Sequence, residues 1–562
     1  MRWKPLIALG AAQFLAVLDT SVMNVSISQL VEDFDTDVTA IQAVITLYTL
    51  VMAAFMITGG KIGDRIGRRR AFGLGLVVYA VGSGLTAIAP TLLVLILGWS
   101  IIEGLGAALV LPALAALVGG NYTGKDRAIA YAVIGGLAGA GIAVGPLLGG
   151  WVTTYLSWRL VFAGEVVLVV AILLVLRWID DVPLTGQRAS IDVVGSALSV
   201  VGLGLVVLGV LQSTAWGWLR PRNPPFTVLG FSPTLFMIAA GLVVLRLMRS
   251  WLRRREQRGQ EPLFHWSLLS LPPLRAAVWT LLAQSFVLLG VFFTVPLYLQ
   301  VVQGLNAFQT GLRLLPVSVL MLVTAAAAPR LNRIATPRTV VRCGFALLVL
   351  ASLWLVAAVD PELDGLSFGT AMALLGIGMG LLAAQLGNVA QSSVGEADRG
   401  EVGGFQYTAQ NLGSSLGTAF IGSVLIGALG AAAQRGLSAD PQISGVVEDQ
   451  VGVAISGGLN FIPLDQARGA LEGAGIPGAE IDALLSTYAD AQLLGLKAAL
   501  LAAAAVALVS LFLTRDLPAV RLTEPPSQPP VPAVPAPEPL APRRNGSADP
   551  GELPVGDGRP PT

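Results

Sequence analysis

Fourteen apolar stretches, each near the ~20 residues a helix needs to cross a bilayer, constrain this chain more than any other feature of its sequence. They lie near 5–31, 40–60, 71–90, 92–119, 128–155, 159–178, 192–212, 229–249, 276–300, 311–330, 339–358, 367–390, 403–430 and 493–514. A 562-residue chain divided in this way folds as a bundle of membrane helices. Only 12% of its residues are charged, about half the share a soluble domain carries, which excludes a disordered protein, a coiled coil and an ordinary soluble enzyme. The expected class is an all-α membrane protein. Arg2 and Lys4 give the first stretch the flank of a signal peptide, but it is too long and shows no small-residue cleavage site before Glu32. It is expected to be a retained helix.

Basic residues fix the expected direction of the spans. Lys61, Arg65, Arg68, Arg69 and Arg70 follow the second stretch. Arg246, Arg249, Arg253, Arg254, Arg255 and Arg258 follow the eighth, and Arg330, Arg333, Arg338 and Arg342 follow the tenth. Even numbers of spans separate the three clusters, so all belong on one side, the cytoplasm. The turns assigned to the far side are acidic: Glu32, Asp33, Asp35 and Asp37 after the first stretch, and Asp360, Glu362 and Asp364 after the eleventh. Both termini are therefore expected in the cytoplasm of a multi-pass protein of the bacterial inner or plasma membrane. Residues 431–492 are expected to form a long outer loop with short helices near 464–489. Beyond about 518 the Pro-rich run PPSQPPVPAVPAPEPLAPRR reads as a disordered tail.

A single Cys (Cys343) and a single His (His265) exclude a disulfide scaffold, a Cys/His zinc site and a His-based triad. No metal and no cofactor are expected. A net charge of +1 offers no field for nucleic acid. The expected partners are the lipid bilayer, protons and a small amphipathic molecule, with a functional monomer.

The chain also repeats itself. Asp126-Arg127 followed by Gly141, Gly145 and Gly150 matches Asp398-Arg399 followed by Gly413, Gly417 and Gly422 at one offset of 272. Arg65-Ile66 and Arg70 match Arg333-Ile334 and Arg338 at 268. Two homologous halves with two extra helices between them account for both offsets. In transporters built from repeats, the substrate site lies at the repeat interface near the bilayer midplane.

Specific motifs narrow the reading. The run Gly60-Lys61-Ile62-Gly63-Asp64-Arg65-Ile66-Gly67-Arg68-Arg69-Arg70, between spans 2 and 3, resembles the signature loop of the major facilitator superfamily. Gly141-x-x-x-Gly145-Pro146-x-x-Gly149-Gly150 in span 5 is similar to that superfamily's antiporter motif. Leu18-Asp19-Thr20 with Asn24, Ser157-Trp158-Arg159, Trp216-Gly217-Trp218 and Pro296-x-Tyr298-Leu299-Gln300 resemble its fourteen-helix drug:proton antiporter branch (the EmrB/QacA-like group). The resemblance covers about 10–430 and span 14. It implies two six-helix bundles plus two inserted helices: 1–180, then 181–260 with the inserted pair and a basic linker, then 261–517 with the outer loop, then the tail 518–562. It departs in span 4, where Ser100, Glu103 and Gly104 stand at positions for which the family carries an Arg, a Gln and a Gly. In span 6, Glu165 replaces the family's usual Asn.

Each motif has a chemical and a plainer structural reading. In the signature loop, Gly60, Gly63 and Gly67 suit a tight reversal, and Asp64 is expected near the N-terminus of span 3, where the helix dipole favours it. There it would pair with Arg65 or a neighbouring Arg and latch the two halves on the cytoplasmic side. Topology signalling alone accounts for the Arg run but not for Asp64. In span 5, Gly141, Gly145, Gly149 and Gly150 let helices approach closely and Pro146 bends the helix. The resemblance makes this a leak-sealing seam that favours exchange over uniport. Asp19 lies about mid-membrane, where burial favours a neutral carboxyl; it is either a proton-coupling group or a hydrogen-bond partner of Asn24 or Thr20. Glu103 and Glu165 either titrate, attract a lipophilic cation or reach water near a span end. Arg313 is expected to be an interfacial anchor. Asn24, Ser100, Glu103, Phe292 and Phe293 are the candidate substrate-cavity residues, with Trp99, Trp151 and Trp279 as further aromatics that serve a cavity or a membrane belt.

The resemblance implies a proton-coupled exporter of amphipathic or hydrophobic compounds, antibiotics and cations among them. The alternatives are a proton-coupled importer or lipid or metabolite transporter on the same fold, and a non-transporting scaffold or receptor. No nucleophile–base pair or metal set marks an enzyme.

Overall fold

A computed structural model describes residues 3–519, apart from 123, 182–191, 222–223, 395–398, 446, 449–450 and 453–459. Nearly all of the Pro-rich tail, and Asp398 of the repeat, lie outside the described residues.

Among the described residues the elements are helical and no strand occurs. In chain order they are α1 (Lys4–Val25), α2 (Ile27–Asp33), α3 (Val38–Ile66), α4 (Arg68–Ala87), α5 (Leu92–Asn121), α6 (Gly124–Tyr155), α7 (Arg159–Leu174), α8 (Val193–Trp216) and α9 (Pro233–Gln257). There follow α10 (Pro272–Val302), α11 (Ala307–Ile334), α12 (Pro337–Ala358), α13 (Gly365–Ser392), α14 (Arg399–Ala439), α15 (Leu464–Gly473) and α16 (Gly478–Leu513). Local chemistry starts several of them. Asp37 accepts from Ala40 N at 2.7 Å at the head of α3, and Asn306 and Gln309 form a reciprocal capping box at α11. Thr336 caps α12 ahead of Pro337, a residue suited to a first turn.

Twelve helices among the described residues are long and apolar enough to cross a membrane. α6 and α7 occupy the places of the fifth and sixth expected spans without being among the twelve. α7 has 16 residues, about 24 Å of rise against a ~30 Å hydrocarbon core. The largest departures in boundary are α14 and α16, which run beyond the expected apolar stretches. The expected outer loop is in part their extension: Leu437 of α14 and Ile481, Leu484 and Leu485 of α16 bury themselves with Ile443, Val447 and Ile476 in a small separate core. Of the short helices expected near 464–489, α15 is one, and the remainder continues into α16 because its apolar face has that core to cover.

Helices α1 and α3–α7 pack mainly on one another, as do α10–α14 and α16. Two seams join the groups: α3 against α14, and α6 against α11. Each group gives its second long helix to one seam and its fifth to the other, so one contact is made twice. The repeated glycines serve both the packing within each group and the seams between them. A Cβ at Gly141 would lie 3.0 Å from Val17 of α1, and Gly145 and Gly149 meet Ser21 and Val22 of the same helix. At the offset of 272, Gly413 and Gly417 abut the Leu282 and Phe286 carbonyls of α10. Gly150 and Pro146 touch Ala307 and Gly311 across one seam, while Gly422 touches Gln42 across the other. The inserted pair α8–α9 pack on each other, and Leu203 and Val207 of α8 cluster with Leu47 and Leu50 of α3 and Leu412 and Leu416 of α14.

Candidate functional site

Helices α4 and α5 cross where both present glycine. A Cβ at Gly82 would fall 2.5 Å from the Glu103 N, and one at Gly98 would fall 2.8 Å from Thr86 Oγ1. The backbones therefore approach closely enough for Ser83, next to Gly82, to reach across to α5. In α5 the stretch Ile96–Glu103 is π-helical, a wider turn often found at functional sites. It carries Trp99, Ser100 and Glu103 inward together, each fully buried.

Three acids from three helices meet at this crossing. Carboxylate oxygens of Asp19 (α1), Glu103 (α5) and Glu165 (α7) all lie within 4.8 Å of one another. Asp19 and Glu103 are 0% exposed and Glu165 is 2% exposed. Trp99 Nε1 donates to Asp19 Oδ1 at 2.8 Å, and Tyr48 of α3 stacks on the Trp99 ring with centroids 4.3 Å apart. Ser83 Oγ lies 2.9 Å from Glu103 Oε2 and 3.0 Å from Glu165 Oε2. Asp19 Oδ2, Glu103 Oε1 and Glu165 Oε1 are buried without a hydrogen-bond partner among the described residues. No Lys, Arg or His bonds to any of the three among those residues. Each ionised pair would repel by about 3.5 kcal/mol at an effective dielectric of about 20. Such a set can hold protons, or present negative charge to a cation once protons leave. Of the alternatives open for Glu165, reaching water near a span end does not fit, because α7 leans on α4 and the side chain is buried in the interior. Asp19 takes its partner from Trp99 rather than from Asn24 or Thr20.

Ser83, Tyr48 and Tyr79 belong to this site and carry no motif of their own. Tyr48 and Tyr79 are buried and border the acids. The only local signal for Ser83 is the Gly-Ser-Gly step at 82–84, in a helix that otherwise reads as small-residue packing.

The substrate-cavity candidates separate. Ser100 Oγ donates to Val44 O at 2.8 Å, binding α5 to α3, and Asn24 Nδ2 donates to Thr20 O at 2.7 Å within α1. Phe292 and Phe293 are buried on α10, in the other group of helices. Trp151 and Trp279 are 44% and 52% exposed on the outside of the bundle, so the belt reading fits them, whereas Trp99 is interior.

The signature loop is tighter than expected. Gly60 and Gly63 are inside α3, and the reversal rests on Gly67 alone, at φ +101°. With one residue between helices, Arg68 sits a turn beyond Asp64 and the two form an ion pair. Asp64 therefore closes α3 instead of opening α4. The carboxylate at the head of α4 is Asp181, whose Oδ1 accepts from Arg69 N at 3.1 Å; no local motif marks it because it is 112 residues away in sequence. Arg69 also donates to the Ile179 carbonyl at 3.1 Å, and Arg65 is exposed. Toward the linker before α10, Lys61 Nζ of this loop pairs with Glu261 Oε1 at 3.1 Å. On the opposite end, Asp33 takes hydrogen bonds from Trp158 Nε1 at 2.7 Å and Arg159 Nη1 at 2.8 Å. Partial burial works against the Asp33 charge, but Gln29, Trp158 and Arg159 together hold its carboxyl below the usual range.

A family model described as the Major Facilitator Superfamily matches residues 9–418. The tetracenomycin C resistance and export protein of Streptomyces glaucescens is 27% identical over 431 residues, covering 76% of this chain and 77% of that protein. The puromycin resistance protein pur8 of Streptomyces alboniger is 29% identical over 452 residues, covering 79% and 86%. The multidrug efflux pump LfrA of Mycolicibacterium smegmatis is 25% identical over 496 residues, covering 87% and 95%. Among solved structures, a bacterial homologue of the human lysosomal transporter Spinster, inward-facing and unoccupied, matches with a TM-score of 0.58 at 16% identity over 92% of this chain and 97% of that one. That likeness concerns the fold.

Proposed function

The chain belongs to the Major Facilitator Superfamily, and from that premise we propose that it exports amphipathic or hydrophobic compounds, antibiotics and cations among them, in exchange for protons. It is a multi-span membrane transporter and not an enzyme. Relatives named for antibiotic resistance and multidrug efflux support the direction of transport. The observation that carries the coupling is the buried set Asp19, Glu103 and Glu165 with no basic partner among the described residues.

In this reading, protonation of the acids favours one facing state and arrival of substrate favours the other. The membrane potential supplies about 2.3 kcal/mol per charge per 100 mV. The glycine seams of α6 and α14 keep the halves tight enough that protons do not leak, and the loop around Asp64 restrains one end of the bundle. We assign residues 1–180 and 261–517 to the two bundles, 181–260 to the inserted pair and linker, and 518–562 to the tail. α6 and α7 complete fourteen spans, both termini lie in the cytoplasm of a bacterial cell, and a monomer suffices.

The test is a pH gradient imposed on vesicles containing the purified protein, with substrate-dependent loss of the gradient as the readout. Asp19→Asn should fold and bind but abolish uphill transport, because an amide releases no proton, and Asp19→Glu should retain part of it. Uphill transport at the wild-type rate in the Asn variant refutes the assignment of Asp19.

A further inference from the structure

Ser83 stands between two acids. Its Oγ is 2.9 Å from Glu103 Oε2 and 3.0 Å from Glu165 Oε2, and all three side chains are buried. A serine hydroxyl has one hydrogen to donate and lone pairs to accept with. It can therefore donate to only one carboxylate at a time. Both contacts are hydrogen bonds together only when the other carboxyl carries a proton and donates it to Oγ. With both acids ionised, one contact would set a hydroxyl lone pair against a buried anion, and nothing nearby compensates.

Building on the proton-exchange reading above, we propose that Ser83 is a positioning residue that joins Glu103 and Glu165 into one shared proton site. The pair holds a single proton, and the hydroxyl passes it between them. In that step the protonated carboxyl gives its proton to Oγ while Oγ gives its own hydrogen to the other carboxylate. One carboxyl O–H bond breaks and another forms, serine ends neutral, and the charge of the pair stays at minus one. Asp19 is outside this pair because its Oδ1 is held by Trp99. It is nevertheless within 4.8 Å of both acids, so its charge sets the field in which the pair titrates. The other titratable groups that border the pair are Tyr48 of α3 and Tyr79 of α4. The close crossing at Gly82 and Gly98 is what holds Ser83 at this distance.

Infrared titration of the full-length protein in lipid nanodiscs tests this without transport. The carbonyl band of protonated, buried carboxyls is followed against pH. Glu103→Gln and Glu165→Gln should each leave a single carboxyl band whose midpoint is moved from that of wild type, because each takes away the partner that shares the proton. Ser83→Ala should move the band's midpoint by about tenfold in proton concentration, as expected for loss of a hydrogen bond to a charged group. Ser83→Thr, which keeps the hydroxyl, should restore the wild-type midpoint. The proposal is overturned if Ser83→Ala titrates as wild type, or if each Gln variant removes one band and leaves a second at its wild-type midpoint. The Gln criterion stands even if Ser83→Ala fails to fold. A wild-type protein that moves substrate without proton flux would sink the exchange reading, while the band would still decide the role of Ser83.

Discussion

Asp19, Glu103 and Glu165 differ in what holds them, and this sets what each can do. Asp19 rests on an indole N–H that cannot accept a proton, so any proton it loses must leave through another route. Glu103 and Glu165 share a hydroxyl that can both give and take. Asp33 is the contrasting acid, outside the spans and fully engaged as an anion by Trp158 and Arg159. Its folded value is held below the ordinary 3.8. The stability it contributes is therefore present above the unfolded value and lost as pH falls through the folded one. Asp33→Asn should lower the melting temperature of the purified protein at neutral pH. The gap to wild type should close as pH drops below the usual carboxylate range. A gap that does not change with pH would mean that Asp33 acts through shape and not charge.

Between elements, the decisive contacts are backbone to backbone, and glycine permits them. Gly82 and Gly84 are both in α4, but a Cβ at Gly82 would strike Glu103 at 2.5 Å from its N, whereas one at Gly84 would meet Val166 at an ordinary 3.9 Å. Gly82→Ala should therefore cost about 1–3 kcal/mol through forced separation of α4 and α5 and should impair exchange by moving Ser83 from Glu103. Gly84→Ala should be neutral or stabilising by a few tenths of a kcal/mol. Melting curves for the two variants check this pair of outcomes, and equal melting temperatures would refute the tight crossing. The repeat in the sequence exposed the equivalent glycines of α6 and α14, because a spacing preserved at one offset is visible without a structure. Gly82 and Gly98 belong to no such repeat, so the crossing they form could not be read from the chain.

For the whole molecule, the two groups of helices meet through the seams α3–α14 and α6–α11, with Gln300 Nε2 reaching Val25 O at 2.8 Å between α10 and α1. If export proceeds by rocking of the two groups, fixing that contact should stop it. Cysteines at 25 and 300, in a protein with Cys343 replaced, joined by a short thiol cross-linker should abolish turnover. Cleavage of the linker should restore it, and turnover that continues while linked would exclude rocking at this end. The sequence by itself determined the all-helical membrane class, the order of the helices, the repeat and the three acids, because hydropathy, small-residue spacing and a charge placed in an apolar run are local quantities. Only the tertiary structure decided that Asp19, Glu103 and Glu165 converge, that Ser83 bridges two of them, that Asp181 replaces Asp64 at the head of α4, and that Ser100 is spent on the Val44 carbonyl. Those outcomes depend on how helices distant in sequence cross. The crossings are fixed by side-chain volume and the absence of Cβ atoms on both partners at once, which no single stretch of sequence specifies.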